Sequence, residues 1–129
     1  MRIDLMLRAV ADLTRLRVLQ LLRGGELCVG DLVEILGVSQ PSASRHLACL
    51  RKSGLVATRR HRLWTFYALV RPESRFHAKL LECLGACSDH LWEGRADAAR
   101  AARLRASGGC CPEGAAGVRR GSTRGLRWT

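Results

Sequence analysis

The chain has 129 residues, 47% of them hydrophobic, and carries 22 Lys and Arg against 11 Asp and Glu, a formal charge of +11. That length allows one small domain and a tail, and the cationic excess points to a polyanionic partner: nucleic acid first, an acidic membrane surface second. No apolar run approaches the ~18 residues of a membrane span, and Met1–Arg8 has neither the apolar run nor the small-residue cleavage site of a secretory signal. The expected setting is therefore a reducing cytoplasm with no membrane anchor. There the six cysteines are expected to be thiols or metal ligands rather than a disulfide framework.

From Ile3 to Leu22 the apolar residues Met6, Val10, Leu13, Leu16, Leu19 and Leu22 recur at helical spacing. One long helix or two short ones, ended by Gly24-Gly25, are expected. A further helix carries Leu32, Val33, Ile35 and Leu36 and closes at Gly37. Asp31 in its first turn suits the positive end of the helix dipole. Ser39 is then a natural N-cap for a helix that tolerates Pro41 in its first turn. Ala43, Leu47 and Leu50 form its narrow apolar stripe, and Ser42, Ser44, Arg45 and Lys52 point elsewhere. Gly54 ends it.

Leu55–Thr58 and Leu63–Leu69, with their β-branched and aromatic residues, read as two strands. The basic turn between them, Arg59-Arg60-His61-Arg62, lacks Gly or Asn, so a loop longer than a tight hairpin is expected. After Pro72 a last helix places Phe76, Leu80, Leu84, Cys87 and Leu91 on one face, with a possible interruption at Gly94. Arg95–Ala106 has high helix propensity. Residues 107–129 are rich in Gly, Arg and Ser without pattern, and are expected to form a flexible tail on a domain spanning 1–106. Two adjacent cysteines, Cys110 and Cys111, stand in that tail, where they bridge poorly to each other.

Two short helices joined through Gly37, the second with a polar outward face, followed by a basic hairpin, describe a winged helix-turn-helix. The fold class is mainly α with a β-hairpin wing. A helix of that kind can enter the major groove, where Gln40, Ser42, Ser44, Arg45 and His46 are the candidate DNA contacts. Arg59, Arg60 and Arg62 of the wing suit a flanking groove or the phosphates.

The runs Glu26–Leu32, Val38–Leu47 and Leu50–Val56 resemble the ArsR/SmtB family of metal-sensing repressors, with Ala11–Leu19 and Arg62–Leu69 similar to its second helix and wing. The resemblance covers residues 5 to about 93, and the Ser39-Gln40-Pro41…Ser44-Arg45-His46-Leu47 run is its specific part. It implies a homodimer, formed through the first and last helices, that holds double-stranded operator DNA until an inducer binds. Leu13 stands where the family has a proline, and the wing turn lacks the usual glycine.

The resemblance also implies several sensor sites, which the residues test one by one. A CxCxxC-like arsenite site would need thiols at Cys28, Gly30 and Val33, and only the first is present. A cadmium- and lead-type site would pair Cys49 with Ser53, which has no thiol. Cys28 and Cys49 are therefore expected to be packed residues. A zinc- or nickel-type site on the last helix keeps Asp89-His90 and Glu93, but His77 and Lys79 fall where its first half belongs, and lysine is a poor zinc ligand.

Cys83 and Cys87, one helical turn apart, can grip one soft ion. Cys110-Cys111 resembles the terminal vicinal pairs of repressors that respond to arsenite, antimonite or methylarsenite. Trivalent arsenic forms up to three bonds to thiolates, and methylarsenite needs two. The expected metalloid ligands are thus Cys110 and Cys111, with a third thiol from Cys83 or Cys87 and no organic cofactor. An unbroken helix would separate Cys87 from Cys110 by about 35 Å, so a shared site within one subunit requires the chain to reverse. A thiol-redox-responsive repressor and the zinc- or nickel-type sensor are the alternatives. An enzyme is not expected, because the chain has neither a phosphate-cradling Gly-rich loop nor a Cys-x-x-Cys pair.

Overall fold

A computed structural model describes residues 2–90 and 94–108, with the backbone alone at 88 and 89. The N-terminal periodic segment forms two helices, α1 (Ile3–Val10) and α2 (Leu13–Leu22). The break has a local cause: Asp12 is extended, and its carboxylate caps α2 by accepting from the Arg15 backbone N–H at 3.0 Å. Arg15 closes the junction, donating from Nε to the Ala9 carbonyl at 2.7 Å and from Nη2 to that of Arg8 at 3.1 Å. These bonds satisfy acceptors left open at the end of α1.

Strand β1 (Leu27–Cys28) leads directly into α3 (Val29–Leu36). Gly37 ends α3 in the left-handed conformation, at φ +69°, where a side chain would be strained. Helix α4 (Gln40–Lys52) begins on the expected cap: the Ser39 hydroxyl accepts from the Ser42 N–H at 3.3 Å, and Pro41 occupies the first turn. Its buried stripe is Ala43, Leu47 and Leu50, as its spacing predicts.

Strand β2 (Val56–His61) runs further than the sequence suggests, β3 (Trp64–Leu69) starts one residue later than expected, and the loop between them is shorter. His61 pairs directly with Trp64, leaving a two-residue turn of Arg62-Leu63. The expectation of a longer loop fails because Arg62 adopts φ +58° where glycine is favoured. A left-handed non-glycine residue costs about 1–2 kcal/mol. The antiparallel sheet has the order β1-β3-β2, with Leu27 opposite Tyr67 and Thr58 on its other side.

Helix α5 (Arg75–Ala86) starts on a Ser74 cap, whose hydroxyl accepts from the His77 N–H at 3.0 Å. It ends earlier than its apolar spacing predicts: a 3₁₀ turn (Cys87–His90) follows. The Ala/Arg segment then forms a separate helix, α6 (Gly94–Ala106), which packs back against α2 and α3. One core joins these elements, with Leu19, Leu22, Leu32, Ile35, Leu47 and Leu50 essentially inaccessible to water. Burial of each such side chain contributes about 1.5–3 kcal/mol. No helix among the described residues is long and apolar enough to cross a membrane.

Candidate nucleic-acid interface

On α4, Gln40, Ser44 and Arg45 are exposed, joined by Arg51 and Lys52 at its end, and Ser42 is half-buried. The apolar stripe turns these groups outward by holding the opposite face in the core. His46 does not share that outward face. Its ring lies against α2, with Nδ1 3.3 Å from Arg15 Nη1 and 3.9 Å from Asp12 Oδ1. Burial alone would raise the Asp12 pKa, but the Arg15 N–H bond and the charges of Arg15 and His46 outweigh it and lower it. The residue reads as a DNA contact in the sequence because the α2 helix that faces it is distant in the chain.

The three wing arginines divide in the same way. Arg60 and Arg62 are exposed. Arg59 instead points along the sheet, donating from Nε to Glu26 at 2.7 Å and from Nη2 to the other oxygen of the same carboxylate. Its guanidinium also lies 5.2 Å from the centre of the Phe66 ring. Glu26 is 3% exposed and Arg59 39%. This buried carboxylate, missed in the sequence, ties the start of β1 to the wing. Its signal was a lone acid between Gly25 and Leu27.

Of the thiols, Cys28 is buried, and its sulfur accepts from the Asp31 N–H at 3.4 Å, so it caps α3. Cys49 packs partly buried against the core. Cys83 is exposed and Cys87 half-buried, both as free thiols; Cys87 is the αR cap of α5, which keeps the two one turn apart. Cys110 and Cys111 lie outside the described residues. Among the described residues, no three His, Cys, Asp or Glu side chains converge on a possible metal position. His77 is buried, with Nδ1 accepting from the Glu73 N–H at 3.4 Å and Nε2 without a partner. Burial lowers its pKa, and the charge of Glu73 opposes that shift only in part. Lys79 pairs with Glu82 at 3.3 Å.

Helix α6 docks back on α2 through two charged contacts. Asp97 of α6, buried, receives both a Nε and a Nη2 bond from Arg17 of α2 at 2.8 Å. Arg105, at the other end of α6, donates to the carbonyls of Leu21 (3.1 Å) and Gly25 (3.0 Å). Its guanidinium fills the space beside Gly24, where a Cβ would come within 2.6 Å of Nη1. The end of α5 rests on the same stretch of chain: Gln20 donates to the Leu84 carbonyl, and Arg23 to that of Gly85 at 3.4 Å. The ends of α5 and α6 therefore both lie against Gln20–Gly25.

Residues 12–58, from α2 into β2, match the family described as "Bacterial regulatory protein, arsR family". The arsenic resistance transcriptional regulator ArsR2 of Pseudomonas putida is 42% identical over 87 residues, which are 65% of this chain and 75% of that relative. The chain belongs to the arsR family. The arsenical resistance operon repressor of Escherichia coli K12 is 45% identical to this arsR-family chain over 76 residues, 58% of the chain. The chain spans 65% of that repressor's length. Among solved structures, reduced HlyU from Vibrio cholerae superposes with a TM-score of 0.57 at 34% identity, covering 69% of this chain and 87% of HlyU. The arsR-family fold is thus the winged helix of DNA-binding regulators, not an enzyme.

Proposed function

We propose that the chain is a homodimeric transcriptional repressor that leaves its operator when trivalent arsenic binds the thiolates of its tail. The observation that carries the DNA-binding part is the exposed face of α4, with Gln40, Ser44 and Arg45 held outward by Ala43, Leu47 and Leu50. Ser42 borders that face, and Arg60 and Arg62 reach the flanking groove or phosphates from the wing. His46 and Arg59 serve instead to position α4 and the wing. Dimerisation through α1 and α5 is supported by Ile3 and Leu7, one turn apart on α1 and 44% and 48% exposed. A dimer supplies the two recognition helices that adjacent half-sites, ~34 Å apart, require.

For the inducer, support comes from the meeting of α5 and α6 at Gln20–Gly25. Cys83 and Cys87 flank the contact at Leu84 and Gly85, and the end of α6 rests on the same stretch through Arg105. Cys110 follows Gly108 by two positions, a reach of about 7 Å at most. We assign Cys110 and Cys111 as first ligands of arsenite, methylarsenite or antimonite, with Cys83 or Cys87 completing three bonds. In this reading 1–106 is the DNA-binding and dimerisation domain and 107–129 the sensing tail, in a cytoplasmic protein. The zinc- or nickel-type alternative has weaker support, since His77 is buried and Lys79 engages Glu82. HlyU is named a transcriptional activator, so the reading of this chain's inducer rests on its thiols.

Fluorescence anisotropy on a duplex selected by the protein from a random pool tests this, titrating arsenite, methylarsenite, antimonite, zinc and cadmium separately. The expected result is release by trivalent arsenicals, lost in Cys110→Ser/Cys111→Ser while duplex binding is retained. A double variant that leaves the duplex at the parent's arsenite concentration refutes the tail assignment.

A further inference from the structure

The wing tip carries a side chain that neither the core nor the ion pairs of the described residues use. Leu63 is 85% exposed, the most exposed large apolar residue described. A lone surface leucine needs no explanation, but this one occupies a special place. It is the second residue of a two-residue turn, so β2 and β3 present it at the extreme end of a hydrogen-bonded hairpin. The other turn residue, Arg62, holds φ +58° without being glycine, so the tight tip is kept at a conformational cost. Arg60 and Arg62 are exposed beside it, and no acidic residue lies between Arg59 and Leu69. The tip is thus a narrow apolar point set between cations.

We propose that this tip enters the minor groove beside the recognition helix and that Leu63 is an apolar wedge against the sugars and a base step there. The proposal rests on the DNA-binding reading above, in which the wing already reaches a flanking groove, and adds to it one residue, Leu63, as an apolar contact there. The groove's negative potential draws Arg60 and Arg62 to its walls. Leu63, having no polar group to satisfy, packs on the apolar deoxyribose faces of the groove walls and against a partly unstacked base, which favours flexible pyrimidine–purine steps that unstack at low cost. Local charge selects the partner: the exposed arginines on either side of Leu63, with no acidic residue near them in the hairpin, favour a polyanion.

The test uses the full chain and the selected duplex. Hydroxyl-radical footprinting first locates minor-groove protection outside the α4 half-sites, and 2-aminopurine is placed at that step. The parent should brighten the 2-aminopurine on binding. Leu63→Ala should lose the brightening and bind about 3–10-fold more weakly with an unchanged salt slope, whereas Leu63→Lys should regain affinity with a steeper slope. Netropsin should compete with the parent's wing protection. Parental affinity and brightening in Leu63→Ala overturn the wedge. If Arg45→Ala weakens binding while Leu63→Ala does not, the wedge alone fails; if the parent selects no duplex, the DNA-binding reading fails with it. Circular dichroism melts should match among these variants, because so exposed a side chain contributes little to the fold.

Discussion

Truncating Arg59 separates a structural arginine from a DNA contact. Arg59→Ala strips both guanidinium bonds from the Glu26 carboxylate, which is 3% exposed. Removing one partner of a buried ion pair costs about 3–5 kcal/mol. Arg59 is itself 39% exposed, so water can enter the vacated space and solvent screening lowers the expected cost below that range, to about 2–3 kcal/mol. Loss of the guanidinium over Phe66 adds about 0.5–1 kcal/mol. At about 4–8 °C per kcal/mol in a domain of this size, Tm should fall by roughly 10 °C or more. Arg62→Ala should leave stability within about 0.5 kcal/mol, because its exposed side chain bears on nothing described. It should instead flatten log K against log salt by about 0.9 on any duplex, one phosphate contact's worth. Thermal melts and urea titrations measure the first effect; anisotropy on a non-operator duplex across salt concentrations measures the second. Glu26→Gln in the Arg59→Ala background should recover part of the loss by removing the stranded charge. An Arg59→Ala protein that melts like the parent and loses the salt slope would show Arg59 on a phosphate and refute the strut.

Asp97→Ala should cost about 3–5 kcal/mol in urea unfolding, since it strands Arg17, 13% exposed, between α2 and α6; an undiminished unfolding midpoint would mean that α6 does not dock there. His77 gives a pH dependence of defined sign. Burial depresses its folded pKa below the ordinary 6.5, so its contribution is complete above the unfolded pKa. That contribution is lost as pH falls from about 6.5 through the folded value, because the unfolded chain then binds the extra proton. Urea midpoints between pH 8 and 5 should therefore fall less steeply for His77→Phe than for the parent; parallel curves would rule out the titration.

The apolar stripe Ala43, Leu47 and Leu50, the Ser39 cap and Gly37 determined α4 and its outward face from sequence alone. Helix periodicity and capping act over three or four residues, so neighbours in the chain decide them. The same locality made the thiol inventory legible, since replacing the partners of Cys28 and Cys49 removes those sites whatever the fold. Tertiary structure decided what distant groups do to one another. Arg59 and His46 carry the charge and the ring of DNA contacts, yet Glu26 and Arg15, 33 and 31 positions away, take them up. Arg62 shows the limit of turn chemistry: strand pairing from Val56 to Leu69 supplies enough cooperative hydrogen bonding to hold a non-glycine residue at positive φ. The direction of α6 was equally illegible, because its Ala/Arg composition specifies a helix but not a partner. The buried Arg17–Asp97 pair and the Arg105 contacts at Leu21 and Gly25 choose its path, and those depend on carbonyls and charges that only the folded α2 brings together.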